Sequence, residues 1–235
     1  MKTITVTNKG KRSVNEDFVL SQSLNSEQYL NIIADGMGGY EKGEEASRII
    51  TEKISSHLSK LPNINDEDVQ FAIDDANMAI SQFKEQLKIK LGATIGGVII
   101  KNNCAKCFWV GDVKIYHFHD KRLSFESDPH SLMAELINNG NIVDIEKIAK
   151  YKHIVTRSIH GDLGKSEAAF IDIKTIGKED VFIICSDGVH DIINGLQMEY
   201  LFNEKGEIES VVQEIEEHCK LNAKDNYSFI VIADI

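Results

Sequence analysis

Proline is scarce: Pro62 and Pro129 are the only two. With no proline-rich or Gly/Ser-rich stretch, the chain offers no linker, no low-complexity segment and no internal repeat. Long apolar runs are missing too. None approaches the roughly 18 residues that span a bilayer, so no membrane partner is expected. The opening Met1-Lys2-Thr3-Ile4-Thr5-Val6 lacks the apolar core of a signal peptide. Basic charge is in deficit, with 26 Lys and Arg against 37 Asp and Glu and a formal net charge of −11. No basic patch is visible, which excludes nucleic acid as the partner. The four cysteines (104, 107, 185, 219) sit in or beside apolar runs. Buried thiols in a reducing compartment, the cytoplasm, are expected.

What is present suits one domain over 1–235. Hydrophobic residues make up 42% and charged residues 27%, enough for a sizeable core. Strands are expected at 2–7, 18–20 and 29–34. A helix over 42–60 carries Ala46, Ile50, Ile54 and Leu58 on one stripe; a second over 66–89, capped by Asn65 or Asp66, does the same with Val69, Ile73, Ala76 and Ile80. A β-rich block follows at 93–101, 104–110, 113–119 and 121–126, and its short turns favour antiparallel hairpins. Residues 131–151 read as mostly helical. Strands return at 153–158, 168–176 and 180–185. Short helices lie between 189 and 202, a longer one at 207–221, and Tyr227 to Ala233 is a last strand. The fold class is therefore α+β. So many strands exceed one flat layer, so two packed antiparallel sheets flanked by helices on both outer faces are expected.

Four aspartates stand where the backbone could expose them: Asp17, Asp35, Asp187 and Asp225, each beside a strand-like run or its turn. Alone, Asp35-Gly36 is an ordinary turn. Converging, four such carboxylates would suit hard divalent cations such as magnesium or manganese. Bound cations would also reverse the sign of an acidic surface and let a phosphorylated substrate approach. Other patterns fail. Glu41 stands where a dinucleotide-binding turn needs its third glycine, and no phosphate-binding G-K-[ST] occurs. Cys104-Ala105-Lys106-Cys107 lies on a strand, with its thiols on opposite faces and no second pair. His117 and His119 share one strand face, read as a solvated edge. His130, His160 and His190 lie near motifs and read first as structural.

Arg12-x-x-Asn15-Glu16-Asp17, Ala34-Asp35-Gly36-Met37-Gly38-Gly39, Gly92-Ala93-Thr94, Val110-Gly111-Asp112, Asp128-Pro129-His130-Ser131, Thr156-Arg157-Ser158, Cys185-Ser186-Asp187-Gly188 and Asp225-Asn226 occur in that order. Together they resemble the metal-dependent serine/threonine protein phosphatases of type 2C, especially the bacterial branch. The resemblance implies a β-sandwich with helices outside. It implies a dinuclear centre of manganese or magnesium, with Asp17, Asp35, Asp187 and Asp225 as ligands and Gly36 lending its backbone carbonyl. Glu16 would orient the attacking water, Arg12 would bind phosphate, and Asp112 with Asp187 would serve a weaker third ion. The implied reaction is hydrolysis of phosphoserine and phosphothreonine on proteins by metal-activated water. The partners would be a phosphorylated protein and a cognate serine/threonine kinase in a signalling pair, with the phosphatase a monomer.

Departures from the family pattern matter. Met37 replaces a histidine often proposed as general acid, so the leaving-group proton would come from a water on the metals or from another residue. Gly111-Asp112-Val113-Lys114 replaces the usual Gly-Asp-Ser-Arg. A helical segment stands between Ser131 and Arg157. Two other readings stay open: a catalytically weak phosphatase-like module that binds a regulatory partner, and a domain in which cations are purely structural.

Overall fold

The computed structural model describes residues 1–37, 42–138, 140 and 149–235. Within them the strands form two five-stranded antiparallel sheets. The first runs β1 (Lys2–Asn8), β10 (Tyr227–Ala233), β9 (Asp180–Cys185), β6 (Lys114–His119), β7 (Arg122–Glu126). The second runs β2 (Asp17–Ser23), β3 (Gln28–Gly36), β4 (Ala93–Lys101), β5 (Cys104–Val110), β8 (Ala169–Ile173). The expected α+β sandwich is what forms.

Two-residue alternation builds its layers. In β10, Ile230 and Ile232 face the other sheet while Phe229 and Val231 face outward. In β9, Phe182 and Ile184 point in and Ile183 and Cys185 point out. Val98, Ile100, Cys107 and Trp109 complete the inner core from the second sheet. Helices α1 (Gly43–Leu58) and α2 (Asp66–Leu87) cover that sheet's outer face with Ile50, Ile54, Ile73 and Ile80. Two short helices, α3 (Leu132–Asn138) and α4 (Asp187–His190), come next. Helices α5 (Gly195–Lys205) and α6 (Ile208–Asn222) then cover the first sheet with Met198, Phe202, Val211 and Ile215. Fully burying one such side chain is worth about 1.5–3 kcal/mol. An exposed pair such as Arg48–Glu52 adds at most about 1 kcal/mol. Apolar layering therefore holds the sandwich. Asn65 starts α2 with a reciprocal cap, its side chain accepting from the Asp68 N–H.

Several expectations are corrected. No strand forms over 153–158. Leu132 donates its N–H to the Ile154 carbonyl and Thr156 donates to that of His130, so the stretch lies against the 130–132 turn with one isolated bridge, Ser131 to Val155. A turn supplies too few rungs for a ladder. Of the helix expected over 131–151, Leu132–Asn138 is α-helical and Ala149–Tyr151 is a 3-10 turn. Residues 139 and 141–148 lie outside the described residues, as do Gly38, Gly39 and Glu41. Cys104 is exposed rather than buried, since it opens β5 beside a turn; the other three thiols are buried, and all four are free. His117 is no solvated-edge residue: β6 lies inside its sheet, and the ring stacks on Phe182 and contacts Asp180 at 2.7 Å.

Candidate metal centre

Strand ends converge at one end of the sandwich. β2 begins where β3 finishes, and their register sets Asp17 opposite Asp35. Thr94 at the start of β4 pairs with Asp35 from the other side. β9 ends at Cys185, opposite Phe229 near the start of β10, so Asp187 and Asp225 leave the first sheet close together. β6 pairs Lys114 with Cys185, which brings Asp112 to the same edge. Two glycines permit the crowding. A Cβ on Gly188 would collide with the Asn226 carbonyl oxygen, and one on Gly36 would stand 2.8 Å from the Gly43 backbone and 2.9 Å from Glu16 Cβ.

The result is a cavity of about 280 Å³ walled by Glu16, Asp35, Gly36, Asp112, Asp187 and Asp225. Met37, Thr94, His153 and Val155 complete the wall. Asp17 is buried behind it. Its Oδ2 accepts from Ser186 Oγ at 2.9 Å, while its Oδ1 is buried without any hydrogen-bond partner. Arg12 stands outside, in an adjoining cleft that shares Asp187, Asp225 and His153 with the cavity. Its Nη2 donates to Asp225 Oδ2 at 2.6 Å. All eight residues expected at the site are thus in one neighbourhood: six on the wall, Asp17 behind it and Arg12 at the rim.

The carboxylates are mutually uncomfortable. Burial first, then the charges of Asp17, Asp187, Asp112 and Asp225, push Asp35 well above the usual carboxylate range. Burial, then Asp112 and Asp225, lifts Asp187 to about 8. Asp17 rises to about 6, chiefly through burial, despite hydrogen bonds from Ser228 and Ser186. Glu16 is raised by burial and by Glu44. Such a cluster costs stability unless cations are held in it. The orphaned Asp17 Oδ1 and an all-oxygen donor set fit hard divalent ions. Among the described residues, no three His, Cys, Asp or Glu side chains close around a single point. The carboxylates ring a cavity instead, which suits ions that keep much of their water.

Asn226 was legible only as part of a turn, and its role is larger. Its Oδ1 accepts from the Glu16 N–H at 2.9 Å, and its Nδ2 donates to the Lys9 and Val14 carbonyls at 3.0 and 2.8 Å. One buried amide thereby clips the loop bearing Arg12 and Glu16 onto the first sheet. Leaving a buried polar group unpaired costs about 1–3 kcal/mol. Asn226→Ala is expected to lower unfolding stability by about 2–4 kcal/mol, since three backbone groups lose their partner. Urea unfolding would show it; a change under about 0.5 kcal/mol would mean that water replaces the amide. Ser186 ties Asp17 to the Ser228 N–H and was likewise visible only within its motif. Thr94 belongs to the Gly92-Ala93-Thr94 motif, whose residue types point to no role, and His153 carries no signal in the sequence.

The model of the family described as protein phosphatase 2C matches residues 7–225 of this chain. The chain belongs to the protein phosphatase 2C family. Among sequence relatives of this phosphatase-family chain, protein phosphatase PhpP of Streptococcus pneumoniae is 27% identical over 196 residues, covering 80% of this chain and 78% of PhpP. Serine/threonine phosphatase stp of Listeria monocytogenes is 26% identical, covering 76% and 73%. The crystal structure of serine/threonine phosphatase Stp1 from Staphylococcus aureus superposes with a TM-score of 0.88 at 23% identity, covering 99% of this chain and 94% of Stp1. The catalytic domain of serine/threonine phosphatase PstP, solved in complex with two manganese ions, superposes with a TM-score of 0.79 at 20% identity, covering 98% and 96%. These superpositions place the two sheets and their helices within the 2C phosphatase fold. Among the described residues, no helix is long and apolar enough to cross a membrane.

Proposed function

We propose that this chain is a metal-dependent phosphoric monoester hydrolase acting on phosphoserine and phosphothreonine of proteins, and that residues 1–235 work as one catalytic domain. The observation that carries the reading is the cavity itself. Asp35, Asp112, Asp187, Asp225 and Glu16 surround about 280 Å³ with an unpaired Asp17 oxygen behind them. Asp17, Asp35, Asp187 and Asp225 would hold two ions, with Gly36 adding its carbonyl, and Asp112 and Asp187 would serve a third. Manganese or magnesium there would supply Lewis-acid neutralisation of phosphoryl oxygens and activation of water. Glu16, pinned through its N–H to Asn226 and through its carbonyl to the Gly36 N–H at 3.1 Å, would orient the attacking water. The names of the relatives, protein phosphatase and serine/threonine phosphatase, support the phosphoprotein substrate, and a serine/threonine kinase would act opposite to it. The test is release of p-nitrophenol from its phosphate ester with and without manganese, followed by phosphoserine, phosphothreonine and phosphotyrosine peptides. A binding module would turn over none of them at any manganese concentration.

Arg12 supplies the phosphate clamp in this reading. Its pair with Asp225 is half exposed (51% and 38% of the side chains), and exposed pairs hold weakly. The guanidinium fork can therefore leave the carboxylate for phosphoryl oxygens, which it matches bidentately. Hydrogen bonds to charged groups are worth about 1.5–3 kcal/mol. Arg12→Ala is expected to lower kcat/KM by about 10–100-fold, through both KM and kcat, with manganese affinity nearly unchanged. Arg12→Lys should recover only part of the loss. Steady-state kinetics at titrated manganese decide, and wild-type kcat/KM in Arg12→Ala would remove Arg12 from the phosphate site.

A further inference from the structure

Hydrolysis of a serine or threonine phosphate needs a proton at the leaving oxygen, because that oxygen keeps both electrons of the broken P–O bond and an alkoxide leaves poorly. Met37, on the cavity wall, has none to give. Three nearby histidines are engaged in the frame. His130 Nδ1 accepts from the Gly111 N–H at 3.1 Å, and burial with the nearby charge of Arg157 lowers its pKa to about 4, so the ring is neutral. His190 spends Nε2 on the Asp112 carbonyl at 3.1 Å and sets Nδ1 3.5 Å from Asp191. His160 sets Nδ1 3.0 Å from Ser158 Oγ. Among the described residues, none of these three lines the cavity.

His153 does. It also lines the adjoining cleft with Arg12, so its ring stands where the two openings meet. The side chain is 62% exposed, open to a substrate arriving from solvent, and its Nδ1 lies 3.7 Å from Asp191 Oδ2. Asp191 is a fixed orienter. It caps α4, the helix that begins with Asp187, and Lys152 Nζ holds it at 2.5 Å. Burial alone would raise Asp191, but hydrogen bonds from His190 and Lys152 outweigh burial and keep it ionised. Asp191 stands within ion-pair reach of Nδ1, and Nε2 is the nitrogen left to serve a substrate in the cavity that the residue lines.

Resting on the phosphatase reading above, we propose that His153 is the general acid that protonates the departing serine or threonine oxygen, with Asp191 as its positioning residue. Water oxygen forms the new P–O bond as the ester P–O bond breaks. The Nε2 proton passes to the leaving oxygen, the water's surplus proton goes to solvent, and solvent reprotonates the imidazole. Products are the free hydroxyl and inorganic phosphate.

The leaving group provides the test. General acid catalysis contributes about 10²–10⁴-fold, but nitrophenolate departs without a proton. At saturating manganese, His153→Gln is expected to lower kcat on a phosphoserine peptide by about 100-fold and kcat on p-nitrophenyl phosphate by less than about threefold. Across substituted phenyl phosphates, the loss should grow with the basicity of the departing phenol, which a binding or folding defect would not produce. Asp191→Asn should give the same selective pattern, only weaker. Manganese affinity by calorimetry should match wild type in His153→Gln. Equal losses on both esters, no loss on the peptide, or weakened manganese binding would each overturn the assignment. A wild-type chain that hydrolyses neither ester would instead sink the phosphatase reading, and this assignment with it.

Discussion

Asp187→Asn is expected to lower kcat by about 10³-fold while raising the melting temperature of the metal-free protein. The two effects come from one position. Asp187 opens α4 at the end of a fully buried strand, and Gly188 lets that turn press against the Asn226 carbonyl. There it faces Asp112 and Asp225, and burial with their charges lifts it to about 8. Asparagine keeps the shape and loses the charge. Metal ions supply several kcal/mol of transition-state charge stabilisation, and each factor of ten in rate is about 1.36 kcal/mol. Losing a carboxylate that would serve both the core ions and the third ion should therefore cost about 4 kcal/mol of barrier. The metal-free fold should gain, because folding no longer has to protonate or bury one more carboxyl in a crowded site. The assay is kcat on p-nitrophenyl phosphate at saturating manganese, beside thermal unfolding in chelator. Wild-type turnover would remove Asp187 from the centre. Lost turnover with a lower metal-free melting temperature would mark it as a structural residue instead.

The layers were legible because alternation and helical stripes are local signals. Ile230 and Ile232 against Phe229 and Val231, or Ile50 with Ile54, can be read in a window of a few residues, and burial then enforces the pattern. The 153–158 stretch misled for the same reason. Its Ile154 and Val155 look like a strand, but among the described residues the stretch pairs through one isolated bridge, Ser131 to Val155. His117 misled because the reading lacked its neighbours: β9 and β7 lie on either side of β6 and bury it. At the site, the aspartates were found as short motifs, each ordinary alone. Asn226 and Asp191 could not be assigned that way. Asn226 acts on Lys9, Val14 and Glu16, more than 200 residues earlier in the chain, and Asp191 faces a histidine 38 positions back (191 − 153). Those relations exist only once the strand ends meet.

Removing metal is expected to abolish turnover and to reverse the way stability depends on pH. The metal-free cavity gathers carboxylates whose folded-state pKa values lie above their ordinary values. Asp187 moves from 3.8 to about 8 and Asp17 from 3.8 to about 6, while Asp35 moves in the same direction. A raised acid binds its proton more tightly in the folded chain than in the unfolded chain. Between the two pKa values the native state therefore carries the extra proton, and stability falls as pH rises. The metal-free protein should lose melting temperature from about pH 4 to about pH 8, the window set by Asp187. Manganese competes with those protons, so its stabilisation should grow over the same window. At 100 times its dissociation constant an ion adds about 2.7 kcal/mol, or roughly 5–10 °C for a domain of this size. Thermal unfolding at pH 5, 6.5 and 8, with chelator and with manganese, would record both slopes. Asp187→Asn should flatten the chelator curve. A metal-free melting temperature that climbs steadily to pH 8, or manganese that stabilises most at pH 5, would mean that these carboxylates do not form the metal site.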